Sequence, residues 1–291
     1  MVQKFFKETK RKPFCIISIM EAEYLEFNEE DLKYLRYAVS MLENPGLLIK
    51  IVNKIGTPIE AVMKKLPQGT SNIVNKAVDK SLKKAAEFAL NTLQNGGEIS
   101  APNETGHKLL VAFSGAAGGL FGIPGIVADL PISTVIMLRS IMEIARSLGE
   151  DLSSPESITE CLSVFAMGGR SGSDDGAETG YYAVRAALSM SVRNAETYLA
   201  KHGVEKITEK SSPYLLRLIA TVAERFGVTV SEKAMAQAVP IIGAAGGAAI
   251  NVVFINHFQD MARGHFIIRR LERKYGKQAV KDKYDEILKR K

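Results

Sequence analysis

An all-α fold, organised as a single helical domain with two glycine-rich apolar helical segments, is what the sequence predicts. Three observations carry that expectation. Capping side chains followed by proline or by acids recur along the chain, as helix starts do. Apolar residues return at helical spacing, as in Ile73, Val74, Ala77, Val78, Leu82, Ala85, Ala86 and Ala89. No stretch alternates apolar and polar residues between hairpin turns. The 291 residues, 46% hydrophobic and 24% charged, can bury a substantial core. Tryptophan is absent and there are 24 glycines, which favours helices packed closely through small side chains.

Taken in order, Asn28 followed by Glu29, Glu30 and Asp31 caps a helix and sets acids at its positive dipole end, and Asn44-Pro45-Gly46 stops it. Thr57-Pro58 starts a second helix, with proline at the first helical position, and Pro67-Gln68-Gly69 ends it. Ser71 to Gln94 is a longer amphipathic helix closed by Asn95-Gly96-Gly97. Ser154-Pro155 and Ser212-Pro213 repeat the cap-then-proline device, Ser231 before Glu232 offers another cap, and Tyr181 to Lys201 is a further helix.

Two stretches stand apart. Leu109 to Ala128 has no charge over 20 residues; Asp129 interrupts it, and Leu130 to Leu138 continues it. Ala234 to Gln259 has no charge over 26 residues. Both have the length of a bilayer span, about 20 residues. Both also contain breakers: Pro124 and Pro131 in the first, Pro240 in the second. The first therefore reads as two shorter helices joined near Pro124. A buried helix pair, an interfacial hairpin and a true span all remain open. Each stretch holds the pentapeptide Gly-Ala-Ala-Gly-Gly, at 115–119 and 243–247. Gly115, Gly118, Gly119 and Gly122, and likewise Gly243, Gly246 and Gly247, are helix-packing candidates, since glycines four apart let backbones approach closely. The echo of Glu143-Ile144-Ala145-Arg146 in Asp260-Met261-Ala262-Arg263 suggests an internal duplication. The spacings disagree, however, at 128 residues for the pentapeptides and 117 for the tetrapeptides.

The net charge of +6 is concentrated at one end, with eleven Lys/Arg against four Asp/Glu between Arg263 and Lys291. That excess suits solubility or an anionic lipid surface. It has few interleaved aromatics and no recognition motif, which disfavours nucleic acid. Cys15 and Cys161 stand alone, so neither a disulfide framework nor a cysteine metal site is expected, and a reducing cytoplasm suits them. The apolar stretch Phe14–Met20 runs into Glu21 and Glu23 without a cleavage site, so no secretory signal is expected.

Three constellations could carry chemistry. Around a helix Asp260 lies about 60° from His257 and His265 about 80° on the other side, so a divalent metal could recruit them with help from His107, Asp129 or Glu143. That spacing matches no established zinc motif, and polar helix ends pairing with arginines are the competing reading. Asp129, Arg139 and Glu143 are the catalytic candidates. Arg139 and Glu143 can equally pair along one helix, and Asp129 can cap a helix beginning at Pro131 or, in lipid, would require a partner. Gly168, Gly169, Arg170, Asp174, Asp175 and Glu178 form the most loop-like segment, a ligand loop or a plain surface connection. It lacks the Lys-Ser/Thr ending of a phosphate loop.

The run Val239-Pro240-Ile241-Ile242-Gly243-Ala244-Ala245-Gly246-Gly247-Ala248-Ala249-Ile250-Asn251 resembles the signature of the EcsC family. So do His257-Phe258-Gln259-Asp260-Met261-Ala262-Arg263-Gly264-His265-Phe266 and Arg269-Arg270-Leu271-Glu272. Upstream, Asn44-Pro45-Gly46, Phe121-Gly122-Ile123-Pro124-Gly125, Ala128-Asp129-Leu130-Pro131 and Glu178-Thr179-Gly180-Tyr181-Tyr182 are similar to other family blocks. The resemblance divides the chain into an N-terminal extension, 1–24, and an EcsC-like helical domain, 25–291. It implies an accessory role in transport or envelope processes, and it brings no agreed catalytic residues.

The expectation is a cytoplasmic, membrane-associated helical protein without catalytic activity, whose partner is an anionic lipid surface or a membrane protein. A metal-dependent hydrolase centred on His257, Asp260 and His265 is the alternative, and a soluble partner-binding scaffold a third. No cofactor is predicted; a divalent metal enters only with the hydrolase.

Overall fold

The computed structural model describes residues 26–43, 47, 50–51, 70–98, 122–167, 180–203, 213–237 and 243–290. Among them are eight helices and no strands: α1 (Glu29–Leu42), α2 (Thr70–Gln94), α3 (Gly122–Ser147), α4 (Pro155–Met167), α5 (Tyr181–His202), α6 (Pro213–Gln237), α7 (Gly243–Tyr275) and α8 (Lys277–Lys289). The all-α expectation holds. The side chain of Asn28 accepts the Asp31 amide at 2.7 Å, which makes it the cap the sequence indicated. Ser154 accepts the Ser157 amide at 3.2 Å at the start of α4. The expected helix at Thr57-Pro58 lies outside the described residues, as do Cys15, His107, Gly115, Gly118 and Gly119.

Two expected boundaries are corrected. Ser231 caps nothing, because α6 runs through it to Gln237. Asp129 does not cap a helix at Pro131, because α3 begins at Gly122 and continues through Pro131. Pro124 sits in its first turn, where a missing N–H costs little. Pro131 lies inside α3, where it has no N–H to give to the helix.

Helix α7 is the axis of the domain. Its 33 residues extend about 50 Å, and α1, α3, α4, α6 and α8 all pack on it. Helix α2 closes the other side against α3 and α6, and α5 lies across α4 and α6. The centre is aromatic: Phe165 of α4, Phe226 of α6, and Phe254 and Phe258 of α7 pack in tilted and edge-to-face pairs with ring centroids 4.9–6.2 Å apart. The uncharged run from Ala234 to Gln259 is divided between the end of α6 and the start of α7, and its Ala236, Ile250, Phe254, Ile255 and Phe258 are buried in this core. Burial in protein thus accounts for the apolarity of that part of the run.

Gly276, with φ of 86°, stands where α7 gives way to α8, a left-handed position that suits glycine. Gly264 serves packing instead. A Cβ there would lie 2.6 Å from Leu42 Cγ and 3.2 Å from the Ala38 carbonyl oxygen. Gly264→Ala is therefore expected to destabilise the domain. The overpacking cost of about 1–3 kcal/mol opposes a helix-propensity gain of about 1 kcal/mol. Chemical denaturation checks this, and a more stable variant would show that α1 and α7 are not in the contact described.

Candidate functional site

The polar centre of the molecule is made by helical spacing on α4, α5 and α7. His265, Arg269 and Arg273 recur every four residues and form one stripe along α7. Glu156 and Glu160 repeat that spacing on α4. Glu150 precedes α4 in the turn after α3, held by its amide on the Ala145 carbonyl at 3.0 Å.

Arg269 joins all three acids. Its Nε and Nη2 donate to the two oxygens of Glu150, each at 3.0 Å. Nη1 donates to Glu160 at 2.9 Å, and Nη2 also to Glu156 at 2.9 Å. Arg273 and the Ser157 hydroxyl complete the surroundings of Glu150. Burial would raise the Glu150 carboxyl, but Arg269 and Arg273 outweigh it and hold it below its ordinary range.

His265 is fully buried beside Glu160, with Nε2 3.0 Å from Glu160 Oε2 and Nδ1 2.9 Å from the Tyr181 hydroxyl. Burial, together with Arg185 and Arg269, lowers its pKa despite Glu160. A neutral imidazole has one donor and one acceptor. Since the carboxylate only accepts, the proton belongs on Nε2, and Nδ1 accepts from Tyr181. Burial presses the Glu160 carboxyl upward, yet His265, Arg269 and Arg185 bring it down to about 2. Burial also raises the Tyr181 phenol well above its ordinary range, so it stays protonated.

A second clasp adjoins the first. Arg185 of α5 forks onto Glu272 of α7 at 2.6 and 3.0 Å. Tyr284 of α8 donates to Glu43 at 2.6 Å, and the same carboxylate receives the Tyr181 amide at 3.3 Å. With both Glu160 oxygens committed and its pKa near 2, this carboxylate is a poor base near neutrality. Cys161 behind it is a buried thiol whose pKa burial raises well above normal. The clasps are therefore structural. The chemistry they leave open lies on their flank, in a polar cavity of about 210 Å³ between α4, α5, α7 and the start of α8.

The sequence-derived candidates are placed as follows. His257, Asp260 and His265 all lie on α7 but do not converge: Asp260 pairs with Arg263 at 3.1 Å and Lys50 at 3.7 Å, while His265 faces Tyr181 and Glu160. Among the described residues no group of three or more His, Cys, Asp or Glu is disposed to hold a metal. Arg139 and Glu143 pair along α3 at 3.3 Å. Asp129 lies 3.9 Å from Lys233 of α6, whose buried ammonium stands 4.5 Å over the Phe254 ring. Burial lowers the pKa of Lys233 to about 8 in spite of Asp129. Gly168, Gly169, Arg170, Asp174, Asp175 and Glu178 lie outside the described residues.

The model of the EcsC protein family matches residues 15–271. The chain belongs to the EcsC family. No curated protein and no solved structure matches it significantly. In this EcsC protein the two family-like blocks, Glu178–Tyr182 and His257–Glu272, meet at the clasps: the first contributes Tyr181 and Tyr182, the second His265, Arg269 and Glu272. Glu150 and Glu160 were missed by sequence reasoning, because a single glutamate before a helix or within one resembles an ordinary solvated side chain. The His265-Arg269-Arg273 spacing of four along α7 was the available signal.

Proposed function

We propose that this EcsC protein is a non-catalytic helical module that associates peripherally with a membrane, at its cytoplasmic face. Among the described residues no helix is long and apolar enough to cross a bilayer. The observation that supports surface attachment is a stripe on the first half of α3. Pro124, Ala128 and Ile132 are four residues apart and exposed, Ile132 at 59%. They continue the uncharged run that begins at Leu109, so lipid contact would be apolar in character.

The basic C-terminal segment supports the reading less than its charge suggests. Arg263, Arg269, Arg270, Arg273, Lys274, Lys283 and Arg290 all pair with acids of the same chain. Attachment is therefore expected to resist salt, because screening weakens charge contacts and leaves apolar ones intact. Purified protein floated with anionic and neutral liposomes should rise with both at low and high salt. Ile132→Asp should weaken partitioning by about tenfold or more, given the apolar area removed. Protein that stays at the bottom of the gradient under all four conditions would end this reading.

A further inference from the structure

The cavity beside the clasps contains charged groups of two kinds. Arg185 and Arg269 are saturated by Glu272 and by Glu150, Glu156 and Glu160. Arg193, Lys277 and Glu196 also line it, and none of these three forms an ion pair among the described residues. Glu196 has one oxygen 3.1 Å from the Thr159 hydroxyl. Arg193 and Glu196 are three residues apart on one face of α5, and Lys277, the first residue of α8, lines the same cavity. Leu188 and Val192 of α5 and Met167 of α4 add apolar lining to the same cavity.

We propose that this cavity binds a small zwitterion of the free α-amino-acid type. Its carboxylate would sit between Arg193 and Lys277, its ammonium on Glu196, and its side chain against Leu188 and Val192. The complement of charges without an ion pair among the described residues selects this class. A lone anion would meet the carboxylates of Glu196 and Glu160. A lone cation would meet Arg193 and Lys277. A neutral polyol would desolvate all three charges without replacing their water by an opposite charge. The volume of about 210 Å³ is also below the roughly 300–1,000 Å³ of pockets for drug-sized ligands. Glu196 supports the assignment. Burial, Glu160 and Glu156 raise its pKa against Thr159 and Arg269, so a ligand ammonium would relieve the repulsion there.

Calorimetry and thermal shift on the purified full chain test this with the twenty common amino acids as probes. Inorganic phosphate, acetate, ethylamine and glycerol serve as comparisons. At least one amino acid is expected to bind and raise the unfolding temperature, while its N-acetyl and carboxamide derivatives bind at least about tenfold more weakly. Glu196→Gln should weaken the parent amino acid by a similar factor and leave the fold intact by circular dichroism. The derivative series needs no variant, so it decides the matter even if the substitution unfolds the chain. Absence of binding by every amino acid, equal binding of the N-acetyl derivative, or a preference for phosphate or glycerol would each overturn the proposal. Flotation is read separately, so neither proposal depends on the other.

Discussion

Arg269→Ala is expected to destabilise the domain by about 3–5 kcal/mol, the cost of leaving buried carboxylates without their counter-charge. Arg269 is 9% exposed and holds Glu150 in a two-pronged pair while reaching Glu156 and Glu160 with its remaining N–H groups. Removing it strands Glu150, 7% exposed, with Arg273 as its remaining cation. Arg269→Lys should recover only part of the loss, because an ammonium has no planar fork to bridge three acids. Arg269→Met combined with Glu150→Gln should be milder than Arg269→Ala alone, since both members of the pair are then neutral. Urea denaturation of the four proteins measures the series. A loss under about 1 kcal/mol for Arg269→Ala would mean that solvent reaches this centre and screens it.

Acidification is expected to unfold the protein in two stages. His265 has its folded pKa below the ordinary 6.5, so as pH falls below 6.5 the unfolded chain takes up the proton first and stability declines. Glu160 titrates near 2 when folded against an ordinary 4.5. Its contribution is complete above 4.5 and is lost as pH falls from there toward 2. That contribution is on the order of 3 kcal/mol. Glu150 is lowered by Arg269 and Arg273 against burial and acts in the same direction. Glu196 opposes them: its raised pKa stabilises below 4.5 and that contribution disappears as pH rises through the folded value. Three groups outweigh one, so denaturation midpoints should fall steadily from pH 7 to pH 3. His265→Gln should reduce the decline that begins below pH 6.5 and leave the stage that begins below pH 4.5. A midpoint that held constant to pH 4 would contradict the ionisation pattern assigned to the clasp.

Local chemistry made much of the fold legible. The Asn28 cap, the proline starts at 155 and 213, and the glycine pair at 96–97 depend on residues within one turn, so the sequence displays them directly. The readings that failed were also local. Ser231 and Asp129 are good caps by type, yet α6 and α3 run through them, because tertiary packing of a long apolar face outweighs a cap worth about 1 kcal/mol. Arg139–Glu143 was legible as a spacing of four; the partner of Asp129, 104 positions away on α6, was not.

From the sequence alone came the helical class, the family blocks, the uncharged runs and the charge excess after Arg263, all properties of composition and short-range order. The tertiary structure decided what those features are for. It showed that described residues of the second uncharged run enter an aromatic core, and that Arg269, Arg270, Arg273 and Lys274 of the basic segment are answered by acids more than a hundred residues away. It also set His265 and Arg269 against Glu150, Glu160 and Tyr181, and brought Arg193, Lys277 and Glu196, which form no ion pair among the described residues, around one cavity. The physical reason is range: capping and periodicity act over one or two turns, whereas the partner of a buried charge is fixed only when helices far apart in sequence close upon it.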